Sequence, residues 1–214
     1  MRSTLLSPRA LVAAACAALG ACAPKAVPLR PAPVRVEVPR VDLPIGHEKR
    51  VFRWTLDDAG TRFSGEGVVR IASPDSARID VFLDGGLGGG WARVVGNDIH
   101  APGGALVRRV LPPPPLLWAA LGRLAVPAAR DTVSRVDGDT VRADIGLEDG
   151  WRITIAGGRL LRVDRVGSGR LVESVVRPTD DSARYVDAVA NRVLVLTFTT
   201  RERVAPFDPA IWIR

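Results

Sequence analysis

The chain has 214 residues, of which 47% are hydrophobic and 25% charged, and its net charge is +7. That is enough apolar material for one core in a single domain of ordinary size. No stretch after the amino-terminal one is long enough to cross a bilayer, which points away from a protein that spans a membrane by helices.

Residues 1–21 carry Arg2 and Arg9 and then an apolar run rich in Ala, Leu and Val. This is the layout of a secretory signal, too short to span a bilayer. It ends in Leu19-Gly20-Ala21-Cys22, which resembles a bacterial lipobox. The resemblance implies cleavage before Cys22 and acylation (palmitate and related chains) of that cysteine. A plain A-x-A cleavage site is the alternative, and the Pro-rich segment that follows argues against it. Cys16 would leave with the signal, so no intrachain disulfide is expected. Loss of Arg2 and Arg9 lowers the net charge from +7 to +5. The remaining Arg excess is assigned to anionic membrane surface or acidic partners, and nucleic acid is not expected. Two or three acyl chains would hold the protein firmly on a membrane. By the sorting rule of lipoproteins with such a lipobox, Ala23 in place of Asp implies export to the outer membrane over retention at the inner one.

Residues 22–46 read as the lipidated cysteine and a tether, because Pro recurs at 24, 28, 31, 33, 39 and 44. Such a segment favours extended, semi-rigid conformation. From 47 to 214 the pattern is that of one β domain. Period-two alternation predicts strands over 50–57, 61–72, 77–83, 91–95 and 99–101, with Gly, Asp and Pro turns between. The segment 106–111 is ambiguous. Pro112 to Pro115 form a rod, and Pro115 suits a helix start. Leu117, Leu121 and Leu124 then recur at helical spacing beside Trp118, and Gly122 weakens or ends that helix. Strands resume over 132–137, 140–147, 151–156, 160–166, 170–177 and 192–200, while 183–190 reads as strand or helical turn. This gives roughly ten strands and one helix. The fold class is therefore mainly β: an antiparallel curved sheet or unclosed barrel with one or a few helices covering or plugging an apolar cavity.

The residues point away from catalysis and from a cofactor. His47 and His100 have no assignable partner. There is no free Cys nucleophile, HExxH, G-x-S-x-G or phosphate-loop pattern. Gly65-x-Gly67 lies inside a strand, where glycine marks a bend or a close approach. Asp57-Asp58 and Asp180-Asp181 read as turn carboxylates, not metal ligands. Leu87 stands alone in the glycine-rich run 85–90. It either folds back to cap the barrel end or projects as an apolar finger toward a membrane or an acyl chain. The helix is either ordinary core or a gate over a cavity. Trp91, Leu117, Trp118, Leu121, Leu124 and Trp151 are the candidate cavity residues.

This order of parts resembles the LolB branch of the LolA/LolB-like lipoprotein-localisation factors. The lipobox, the 77–95 strand-loop-strand around Gly86-Leu87-Gly88, the Trp-containing segment 115–127 and the final strands carry the likeness. It implies an unclosed barrel whose cavity takes acyl chains of lipoproteins delivered by a soluble carrier. It further implies a monomeric, lipid-anchored protein in which Leu87 matches a protruding Leu that passes cargo to the membrane. Gly86 replaces the Pro of that loop, and the long Pro-rich tether is unusual. An envelope assembly protein acting through its surface, or a carrier of another apolar ligand, remains the alternative.

Overall fold

The computed structural model describes residues 37–86, 88–102, 105–146 and 148–212. These form twelve strands in one antiparallel sheet, together with two α-helices. The strands are β1 (His47–Asp58), β2 (Thr61–Ala72), β3 (Ser76–Leu83), β4 (Gly89–Val95), β5 (Asp98–His100) and β6 (Thr132–Asp137). The remainder are β7 (Thr140–Ile145), β8 (Gly150–Ala156), β9 (Arg159–Gly167), β10 (Arg170–Thr179), β11 (Ser182–Asp187) and β12 (Arg192–Val204). The helices are α1 (Ala105–Val110) and α2 (Pro114–Leu121).

Across the sheet the order is β5-β4-β3-β2-β1-β12-β11-β10-β9-β8-β7-β6. Two meanders run outward from a central seam where the first strand pairs with the last. That seam keeps register from His47↔Val204 to Asp58↔Arg192, with one irregularity between Val51 and Phe52. The sheet curves without closing, so β5 and β6 remain edges. The chain that joins those edges supplies both helices, which lie across the concave face.

Strand alternation decides that face. In β1, Phe52, Trp54 and Leu56 are buried whereas Arg53 and Thr55 are exposed. One row of inner residues runs Leu56, Leu194, Tyr185, Val175, Val163, Ile153, Ala143 across seven paired strands. Gly65 and Gly67 of β2 leave the room that the large β1 side chains need. A Cβ at Gly65 would fall 2.7 Å from the Trp54 ring, and one at Gly67 would fall 2.3 Å from Phe52 Cζ. The in-strand glycines are thus sites of close approach, as the sequence implied.

Three expectations change. The ambiguous 106–111 segment lies largely within a second helix, α1. The 183–190 segment is mainly strand β11. The tether also ends earlier than residue 47: Val41 and Leu43 are 9% and 6% exposed, and both belong to the core. The Val41 carbonyl accepts a hydrogen bond from Leu124 N at 2.8 Å. Alternating Val, Leu and Pro read as a spacer because no partner is visible in sequence. In the fold, the exit of α2 supplies one.

Candidate functional site

Helix α2 is the element around which the concave face is filled. Pro114 and Pro115 occupy its first turn, where their missing N–H groups cost nothing. Leu116 N and Leu117 N both donate to the Pro113 carbonyl at 2.9 Å. The helix stops at Gly122, which is left-handed at φ +102°. There Gly122 N donates to Ala119 O and Arg123 N to Trp118 O, a Schellman-type closure. Every residue from Leu116 to Leu121 is buried. The sequence suggested one apolar face. The structure instead shows a helix apolar all round, which belongs inside a protein rather than on it.

Arginines fasten its carboxyl end. Arg50, 2% exposed, donates from Nη1 to the Leu121 carbonyl at 2.8 Å and pairs through Nε and Nη2 with Glu48. A cation there also complements the negative end of the helix dipole. Arg123 stacks over Trp118 at 4.9 Å, and Trp118 Nε1 donates to the Gly96 carbonyl at 2.6 Å. Arg177 lies close to Gly122, and burial draws its guanidinium down to about 10. Asp180 opposes that shift, while Arg201 and Arg50 add to it.

Beneath the helices lies an apolar cavity of about 20 Å³. Phe52, Val69 and Ile79 form its floor, Leu194, Leu196 and Phe198 one wall, and Val110, Leu111, Leu117 and Leu121 the roof. That volume holds about one water-sized sphere, far below the 300–1,000 Å³ of typical ligand pockets. A larger, open vestibule of about 550 Å³ adjoins it, and the two share Leu111 and Pro112. The interior is thus plugged, and the vestibule is the opening beside the plug.

At the vestibule the inner face changes chemistry. One position pair beyond the apolar row, the cross-strand neighbours are Trp151, Arg165, Glu173, Asp187, Arg192 and Asp58. Glu173, 4% exposed, accepts hydrogen bonds from Tyr185 Oη and Arg165 Nε, each at 2.5 Å. Burial, and then the bond to Glu173, push the Tyr185 hydroxyl well above its ordinary range. Asp58 holds Arg192 at 3.2 Å and Arg109 of α1 at 3.3 Å. Of these carboxylates, Asp58 read as a turn residue in sequence, and Glu173 and Asp187 carried no assignment. Only strand register shows that they form a row.

The candidates from sequence divide accordingly. Leu117 and Leu121 line the residual cavity. Trp118 is core, and Leu124 and Trp151 are half-buried against that core. Trp91 is on the outer face and does not line the interior. Its neighbours Ala92 and Val94 are the buried residues of β4, where α1 packs and leaves space only for small or medium side chains. Trp91 instead lies under Arg78 at 4.4 Å and beside His100. Cys22 and Leu87 lie outside the described residues. Among the described residues no three His, Cys, Asp or Glu side chains converge as a metal site would require.

Comparison with solved structures gives this architecture a class. The chain is similar to a LolA-superfamily protein from Nitrosomonas europaea, with a TM-score of 0.55 at 10% identity over 80% of this chain and 91% of that one. It also aligns with a putative outer membrane lipoprotein-sorting protein domain from Vibrio parahaemolyticus, at TM-score 0.48 and 10% identity, over 80% of this chain and 91% of that one. A DUF1329-family protein from Desulfovibrio piger aligns at TM-score 0.45 and 10% identity, over 78% and 90%. The fold is therefore LolA/LolB-like. No protein-family model and no curated protein matches the sequence.

Proposed function

We infer that the protein is a lipoprotein-localisation factor that binds acyl chains when α2 and α1 move aside from the concave face. One observation carries the reading: a helix apolar on every side covers a small apolar cavity next to an open vestibule. The apolar area that an acyl chain would bury on the concave face offsets the area that such a plug exposes on moving aside. The activity is transfer and involves no catalytic step. Acylation of Cys22 would anchor the protein in the periplasmic leaflet of the outer membrane, and a soluble carrier would deliver the cargo.

Residues 23–214, which contain every core residue among those described, test this. The purified protein is extracted with organic solvent for bound lipid and then titrated with a fluorescent acylated lipopeptide. Saturable binding is expected, at least tenfold weaker in Leu117→Asn and Leu121→Asn variants that remain folded. Absence of saturable binding would refute it. The nearly filled interior favours a second reading, an envelope assembly protein that works through its surface, and that outcome would support it.

A further inference from the structure

We propose that the vestibule is a head-group site for an amphiphile whose head carries both an ammonium and a phosphate, as a phosphoethanolamine lipid does. The inference rests on the acyl-binding reading and adds what lies at the polar end of the chain.

Two charged side chains of the vestibule have no ion-pair partner among the described residues. Glu173 and Asp187 stand directly opposite across β10 and β11. Like charges in that position destabilise a sheet unless something compensates them. Arg165 and Tyr185 compensate Glu173. Among the described residues Asp187 enters no ion pair. Its Oδ1 accepts only the backbone N–H groups of Val189 and Ala190, at 3.0 and 2.8 Å. Arg192, opposite Asp187 across β11 and β12, directs its Nε to Asp58. Asp187 is therefore left without an ion-pair partner among the described residues.

Across the same vestibule is Arg108 of α1, an exposed cation without a hydrogen bond or ion pair among the described residues. One unpaired anion and one unpaired cation thus line a space of about 550 Å³ and do not meet each other. Val107, Leu111 and Pro112 line it too, and the last two also line the small apolar cavity. An ammonium at Asp187 and a phosphate at Arg108 would satisfy both walls at once, with the chains directed toward Leu111. A purely anionic head would lie against Asp187, and a purely cationic one against Arg108. The arrangement therefore selects a zwitterion by repelling its competitors as well as by attracting it.

Residues 23–214 are titrated calorimetrically with dioctanoyl phosphatidylethanolamine, dioctanoyl phosphatidylglycerol, octyltrimethylammonium and free phosphoethanolamine. Uptake of pyrene, which has no head group, is read in parallel. The zwitterionic lipid is expected to bind about tenfold tighter than the anionic one, the scale of one charge-assisted contact. Free phosphoethanolamine should bind far more weakly than the lipid. Arg108→Glu, at an exposed side chain, should abolish the preference and raise affinity for octyltrimethylammonium. Asp187→Asn, which can still cap its turn through Oδ1, should shift preference toward the anionic lipid. Equal binding of all head groups with normal pyrene uptake would overturn this inference and leave acyl binding standing. Loss of pyrene uptake with no lipid bound would overturn both. Free phosphoethanolamine binding as tightly as the lipid would overturn the lipid as its source.

Discussion

Truncation of Leu117 to Ala probes the plug directly. The side chain is 3% exposed and roofs the cavity of about 20 Å³. Losing three buried carbons costs about 2–2.5 kcal/mol in transfer at ~0.8 kcal/mol per group. The vacated space, roughly 60–80 Å³, adds about 1.5–2 kcal/mol at ~24 cal/mol per Å³ if the walls stay put. Partial collapse brings the expected loss to about 3 kcal/mol. Alanine is the best helix former, so no backbone cost confuses the comparison. Urea denaturation reads the loss at unchanged slope, and benzene should restore part of it, because an enlarged dry cavity takes such a ligand. Leu124→Ala, half-buried beyond the helix, should cost about 1 kcal/mol. A loss at Leu117 below about 1 kcal/mol, with no response to benzene, would refute a packed plug over an apolar cavity.

Two further outcomes follow from other parts of the sheet. Gly67→Ala would place a Cβ 2.3 Å from Phe52 Cζ and 2.7 Å from the Asp80 carbonyl. The expected cost is about 2–3 kcal/mol by denaturant titration, and a neutral result would show that the β1 rings can give way. Asp164, 9% exposed on the outer face, has its pKa raised above 3.8 by burial despite both oxygens accepting from Arg162 Nε at 2.8 Å. A raised folded value means that its contribution is fully present below the unfolded pKa and is lost as pH rises through the folded one. Relative to Asp164→Asn, the natural protein should therefore lose stability as pH rises from 3.8 toward the raised value. Denaturation at stepped pH checks this, and parallel or oppositely sloped curves would contradict the burial argument.

The sheet was legible because alternation is a local signal. Ile153 and Ile155 against Arg152 and Thr154 place β8 and its inner face without any knowledge of neighbours. Gly122 was legible too, since a glycine after an apolar helical run is an end signal with a geometric cause. Helix α1 was not, because six residues that include Arg108 and Arg109 carry too short a pattern to separate from strand. Trp91 misled for a different reason. Size suggests the interior, but phase decides it, and the inner positions of β4 are Ala92 and Val94. The charged row at the vestibule was out of reach altogether. Asp58, Glu173 and Arg192 are distant in the chain and become neighbours only through the pairing of β1 with β12 and of β10, β11 and β12 in turn.

That same central seam sets when the protein can fold. The pairing at the middle of the sheet joins His47–Asp58 to Arg192–Val204, so the centre of the structure is built from its first and last strands. Each meander can form hairpins as it is synthesised, but neither gains its inner neighbour until β12 has been made. Non-local pairing of this kind is slow, because loop closure must come before the contacts that reward it. A ribosome-bound chain that stops short of Arg192 therefore holds two unjoined half-sheets, each with an apolar face. The finished seam converts them into one curved body in a single late step.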